Sequence, residues 1–82
     1  MVRGKVVPFS DMPEGVSARI VRLDVEGTMR RRLLDLGFIP GAVIEVLRKS
    51  PLGDPTAFRV SHTTIALRRE ESSKIFGEVI GG

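Results

Sequence analysis

The chain is short, and its composition leaves little room for catalysis. It has 82 residues, of which 41% are hydrophobic, and this suits one small domain with a single core. It contains no Cys, Trp or Tyr and only one His. Disulfides, thiolate metal sites and a cysteine nucleophile are therefore excluded, and few groups remain for acid–base chemistry near neutral pH. The composition predicts a single domain over residues 1–82 that is not an enzyme.

The net charge gives only weak support for a nucleic-acid partner. Thirteen Lys and Arg against ten Asp and Glu leave a formal net charge of +3. Arg30, Arg31 and Arg32 are contiguous, but neighbouring side chains on a helix point in different directions. We predict no nucleic-acid partner. The alternative is a small barrel that binds single strands, which would need aromatic side chains on its surface.

Membrane and export signals are missing from the sequence. The apolar stretch Val6 to Phe9 is far too short for a membrane span or for the apolar core of a signal peptide. We expect a cytoplasmic protein without direct membrane insertion, which could still work beside a membrane through a partner.

The first third of the chain predicts two strands. Val6-Val7 begins an edge strand that Pro8 ends, and the segment Asp11 to Gly15 carries the Pro and Gly of a turn. Ser17 to Leu23 is a second strand with apolar residues on both faces. Glu26-Gly27 then interrupts the strand pattern.

The segment from Thr28 to Leu36 predicts the main helix. Met29, Leu33 and Leu36 have the spacing of one helix face. We expect Thr28 to be the N-cap, and Gly37 to be the left-handed residue just past the C-terminus.

Three arginines, Arg30 to Arg32, lie in the first turns of this helix. Cations near the positive end of the helix dipole are disfavoured by about 0.3–1 kcal/mol. One interpretation is that Arg is simply a good helix former and the cost is small. The other is that an acidic surface of a partner selects these arginines.

The second half of the chain predicts a turn and three strands. Pro40-Gly41 fits the central pair of a type II turn, and Ala42 to Lys49 is the strongest strand. Polar and apolar residues alternate around Phe58–Val60 and again around Ile65–Leu67. These two runs predict a hairpin whose turn lies within Ser61 to Thr64.

The remaining elements complete a mainly β protein. Glu70-Glu71 opens a short helix, with acids where the helix dipole favours them, and Glu78 to Ile80 forms a last short strand. Short antiparallel strands in so small a chain favour a closed or partly closed β-barrel, which limits exposed edges. We therefore predict a small β-barrel with one or two short α-helices.

The segment Pro51 to Pro55 predicts a rigid surface loop. Its two prolines flank Leu52, Gly53 and Asp54, so the loop loses little conformational entropy when it binds a partner. Leu52 is either a contact residue or a side chain folded onto the barrel, and the sequence leaves both open.

His62 is the only imidazole and lies in the predicted hairpin turn. His tolerates a positive φ better than most residues other than glycine, so we expect a turn or solvent-facing role. Asp54 is a conceivable second metal ligand, but no ligand spacing supports a site. We predict no resident metal and no cofactor.

The sequence RLLDLGFIPG at residues 32–41 resembles the signature of the FeoA family of small ferrous iron transport proteins. SPLGDP at residues 50–55 and IALRREE at residues 65–71 fit the same family, and the match runs from about residue 6 to residue 79. One departure lies in the hairpin turn, where His62 replaces the glycine that the family commonly has.

This resemblance implies an SH3-like β-barrel and a cytoplasmic accessory role for FeoB, the membrane transporter of ferrous iron. The transporter's GTP-binding domain is the implied docking site. We predict that Leu52 and Asp54 of the loop, with Arg30 and Arg31 of the helix, bind this partner. The alternative is a carrier or sensor that associates weakly with Fe(II). A homo-oligomer is left open.

Overall fold

Six antiparallel strands form one curved sheet in the order β1-β6-β2-β3-β4-β5, so that β1 and β5 are its edges. The computed structural model describes residues 5–82. The strands are β1 (Val6–Pro8), β2 (Ser17–Leu23), β3 (Val43–Lys49), β4 (Thr56–Val60), β5 (Thr63–Leu67) and β6 (Ile75–Gly81). The helices are α1 (Gly27–Leu36) and α2 (Arg69–Ser72), and a 3₁₀ turn spans Phe9–Asp11. The predicted mainly β fold with two short helices is confirmed.

Helix α1 starts one residue earlier than the sequence suggests. Glu26 is the N-cap, without a capping hydrogen bond from its side chain. The helix begins at Gly27, whose φ of +65° only glycine adopts readily, so Thr28 lies inside the helix and the prediction of Thr28 as N-cap is wrong. The predicted end is confirmed, because Gly37 has φ +106° and its N–H reaches the carbonyl oxygens of the last turn. Neither of the two described helices is long and apolar enough to cross a membrane.

The predicted turns at Pro40-Gly41 and between β4 and β5 are both present. Gly41 has φ +92°, and the Ala42 N–H donates to the Ile39 carbonyl oxygen at 3.0 Å, as a type II turn requires. Between β4 and β5, Ser61 and His62 have φ of +47° and +69°. Two successive positive φ values are those of a type I′ hairpin turn, whose twist matches that of the strands. His62 therefore stands at the tip of a two-residue turn.

The core lies inside the curve of the sheet, with Phe58 at its centre. The Phe58 ring lies edge-to-face against Phe9 at 6.0 Å and against Phe38 at 6.1 Å between ring centroids. From α1, only Leu33 is fully buried, while Met29 and Leu36 pack against the core from its margin. Most of α1 therefore faces outward.

Strand β6 is longer than predicted because it fills the space between β1 and β2. It pairs with both neighbours, and Gly77 lies opposite Val7 on one side and Ile20 on the other. A glycine inside a strand usually marks a close approach of other atoms. Here a Cβ would lie 2.5 Å from Phe9 Cε1 and 2.7 Å from the Arg19 carbonyl oxygen.

Gly77→Ala is expected to lower the free energy of unfolding by about 2 kcal/mol, because neither the packed Phe9 ring nor a backbone oxygen can move freely. Gly81→Ala is the matched control, since a Cβ there meets nothing within 4 Å. Urea denaturation followed by circular dichroism measures both. Equal stabilities of the two variants would contradict the close packing at Gly77.

Candidate partner-binding surface

The loop between β3 and β4 holds Leu52 out in solvent. Leu52 is 94% exposed. The loop below it is closed by three hydrogen bonds: Ser50 N–H to the Pro55 carbonyl oxygen at 3.0 Å, Gly53 N–H to the Ser50 carbonyl oxygen at 2.7 Å, and Asp54 N–H to Ser50 Oγ at 3.0 Å. The interpretation in which Leu52 folds onto the barrel is wrong, because the short closed loop directs it away from the core.

Asp54 ties this loop to helix α2. Its Oδ1 accepts a hydrogen bond from the Arg69 backbone N–H at 2.9 Å. Arg69 is the first residue of α2, where backbone N–H groups have no partner inside the helix. The side chain of Asp54 thus satisfies a free donor and fixes the loop against α2. Sequence spacing gives no sign of this contact, which joins residues 15 positions apart.

The three contiguous arginines of α1 have different surroundings. Arg30 and Arg31 are exposed, and neither makes an ion pair with any residue from 5 to 82. Arg32 instead donates from Nη1 to Glu71 Oε2. The side chain of Glu71 is only 12% exposed, and its Oε1 also accepts the Arg68 N–H at 3.1 Å. Arg32 therefore fastens α1 to α2, and the other two arginines remain available to a partner.

Helix α2 thus lies between the two parts of the predicted site. Asp54 binds at its first residue, Arg69, and Arg32 binds at its third, Glu71. One helical turn rises only about 5 Å, so the Leu52 loop and α1 are anchored within a single turn of each other. The structure thus connects Asp54 of the loop with Arg32 of α1 through α2.

Two shallow depressions run along the outer side of α1. Arg31 and Asp35 line both of them and form the ridge between them. Leu34 lines one depression and Leu36 the other. Both leucines are half-buried. The exposed side of α1 therefore combines charge with apolar surface, the mixture that is typical of a protein-binding helix.

Other chemistry finds less support among residues 5–82. Within this range no three His, Asp or Glu side chains cluster as metal ligands. Three of the four Phe are buried in the core, and the ring of the fourth, Phe76, carries the Arg22 guanidinium 4.2 Å from its centroid. A surface that binds single-stranded nucleic acid would need exposed aromatic rings without such a partner, and the surface of residues 5–82 does not offer them.

Glu71→Ala is expected to lower the free energy of unfolding by about 2 kcal/mol, because it leaves the Arg68 N–H and the Arg32 guanidinium without their acceptor. Glu45→Ala is the matched control. Glu45 pairs with Arg59 at 3.3 Å with both side chains about half exposed, and its loss is expected to cost about 0.5 kcal/mol. Urea denaturation compares the two, and equal losses would show that Glu71 does not anchor the helices.

Comparison with known proteins agrees with the resemblance seen in the motifs. The model of the FeoA domain matches residues 7–79. Over 72 residues the chain is 39% identical to the Fe(2+) transport protein A/Fe(2+) transporter FeoB fusion protein of Porphyromonas gingivalis, a match that covers 88% of this chain and 8% of that protein.

Solved structures show the same fold. Iron(II) transport protein A from Clostridium thermocellum is 41% identical, with a TM-score of 0.88 over 93% of this chain and 47% of that one. FeoA from Stenotrophomonas maltophilia, solved in complex with zinc and described as a procaryotic SH3 domain protein, is 29% identical. Its TM-score is 0.76 over 87% of this chain and 88% of that one. The curved six-stranded sheet described above is thus SH3-like, and the chain belongs to the FeoA domain family.

Proposed function

We propose that the protein is a non-enzymatic, cytoplasmic accessory of a ferrous iron uptake system. It binds the cytoplasmic GTP-binding domain of a FeoB-type membrane transporter and modulates iron(II) transport. The observation that carries the choice of partner is the fusion protein of P. gingivalis, in which Fe(2+) transport protein A and transporter FeoB share one chain. Covalent linkage keeps two modules at a high effective concentration, so a separate chain needs a binding surface to achieve the same proximity.

Leu52 supplies the apolar part of that surface. Full burial of a leucine side chain is worth about 1.5–3 kcal/mol, and nearly all of this is still to be gained at a residue that is 94% exposed. The hydrogen bonds that close the loop at Ser50 reduce the entropy lost when the partner fixes it. An exposed leucine on a rigid loop supports a contact in which Leu52 enters an apolar pocket of the partner.

Arg30 and Arg31 supply the electrostatic part of the surface, and Asp54 belongs to the proposed site as the residue that fixes the loop against α2. Exposed arginines without ion pairs attract an acidic surface and accelerate the encounter more than they strengthen the final complex. Their position on the outward side of α1 leaves both guanidinium groups accessible. A non-enzymatic role is supported by the positions of two groups that could take part in acid–base catalysis. His62 lies at the hairpin tip, and the Glu71 carboxylate is bound by Arg32.

Leu52→Asp is expected to weaken binding to the purified cytoplasmic domain of the cognate transporter about tenfold or more. The substitution removes the apolar contact and puts a charge in its place. Isothermal titration calorimetry measures the affinity, and an unchanged melting temperature shows that the fold is intact.

Ile80→Asp is the matched control for Leu52→Asp. Ile80 is 46% exposed. It lies five residues, or about 17 Å, along β6 from Ile75, the first residue of the strand that follows α2. We expect this variant to bind like the unmodified protein. If both variants lose the same affinity, or if neither loses any, Leu52 is not part of the site.

Arg31→Gln is expected to slow association with the same domain about threefold at low salt, with a smaller effect as salt rises. Arg19→Gln removes an equal charge from the exposed side of β2 and serves as the control. Stopped-flow or surface plasmon resonance at several salt concentrations gives the rates. An equal effect of the two substitutions would mean that only the net charge matters.

A further inference from the structure

The Asp54 carboxylate of the loop contacts α2, and the Glu71 carboxylate of α2 contacts α1. We propose that the Leu52 loop and α1 act as one recognition face that α2 holds together. In this face Asp54 and Glu71 are positioning residues, and Arg69 is a further contact residue. The inference rests on the proposed function for the identity of the partner, but the arrangement of the face is a property of the free protein.

The role of Asp54 follows from the partner that its carboxylate already has. Its Oδ1 is 2.9 Å from the backbone nitrogen of Arg69, and its own N–H is held by Ser50 Oγ at 3.0 Å. A carboxylate that satisfies a donor at the start of a helix needs its oxygen and not its charge, so asparagine can take its place there. A residue that met a cation of the partner would need the charge.

Glu71 plays the same part for α1. Its side chain is 12% exposed and holds both the Arg68 N–H and the Arg32 guanidinium. Successive helical residues are rotated by about 100°. With Arg32 fixed on α2, the side chains of Arg30 and Arg31 must leave the helix in other directions, and both are exposed.

The exposed groups of this face define the chemistry of its partner. Arg30, Arg31 and Arg69 are all exposed, and none makes an ion pair with a residue of the described chain. The loop adds the exposed Leu52. The exposed acids on the two helices of this face are Glu70 on α2 and Asp35 on α1. Arginine pairs with carboxylates in a forked geometry and is enriched in interfaces. The face fits an acidic surface of the transporter domain that has an apolar pocket for one leucine side chain.

Calorimetric titration of the cognate cytoplasmic domain tests the role of Asp54. We expect Asp54→Asn to bind within about twofold of the unmodified protein and Asp54→Ala to lose about fivefold, because only alanine removes the acceptor. Arg69→Gln is expected to lose about threefold, with Arg19→Gln as the charge-matched control. Equal losses for Asp54→Asn and Asp54→Ala would overturn positioning and make Asp54 a contact through its charge. An Arg69→Gln result equal to that of its control would remove Arg69 from the face.

Nuclear magnetic resonance of the ¹⁵N-labelled protein tests whether the Leu52 loop, α1 and α2 bind the partner as one surface. During the titration, amide signals of residues 27–36, 50–55 and 69–72 are expected to move with one common affinity, while those at the far end of β6 stay in place. Shifts confined to one segment, or two different affinities, would overturn a single face.

Hydrogen exchange of the free protein separates this inference from the proposed function. We expect the Arg69 amide to exchange faster in Asp54→Ala and at the normal rate in Asp54→Asn. If the unmodified protein does not bind the transporter domain, the proposed function is wrong, while the exchange of Arg69 still decides whether Asp54 positions the loop. An unchanged rate in Asp54→Ala would overturn the positioning role.

Discussion

The fold depends on the burial of Phe58 between two other rings. Phe9 comes from the 3₁₀ turn after β1, and Phe38 follows the end of α1, so each ring attaches a peripheral segment to the sheet. A chain of 82 residues has a small core, and a few large side chains must supply much of the buried apolar area. This internal cluster also positions the exposed helix α1, because α1 leads directly into Phe38 through Gly37.

A second level of organisation is polar and lies at the surface of the barrel. Helix α2 has only four residues, too few for stability on its own. It is held by Asp54 from the loop and, through Glu71, by Arg32 from α1. Asp54 and the Oε1 atom of Glu71 replace water at the Arg69 and Arg68 backbone donors, which a short helix cannot satisfy internally. The same hydrogen bonds that complete α2 also set the position of the candidate binding residues.

Local sequence patterns were sufficient for much of this structure. The end of α1 at Gly37, the turn at Gly41 and the hairpin tip at His62 each follow from the φ angles that a residue accepts. The start of α1 could not be predicted, because the sequence does not show that Gly27 already belongs to the helix. The early start of β6 depends on neighbouring strands and on the packing around Gly77.

The candidate site was only partly predictable, for a related reason. The rigidity of the loop follows from its prolines, but the exposure of Leu52 is a property of the folded chain. The contact between Arg32 and Glu71 joins residues 39 positions apart, and no local period can indicate it. Sequence therefore pointed to Leu52, Arg30 and Arg31, which the structure shows to be exposed, whereas the structure was needed to find that Asp54 holds the loop to α2.

The closure of the Leu52 loop at its base separates recognition from folding. The hydrogen bond between the Ser50 N–H and the Pro55 carbonyl oxygen, at 3.0 Å, joins the two ends of the loop without involving its tip. A side chain at position 52 can therefore change without altering how the loop leaves and re-enters the sheet. In evolution or in engineering, the residue at position 52 can be replaced to change partner preference, while the barrel that carries the loop keeps its stability.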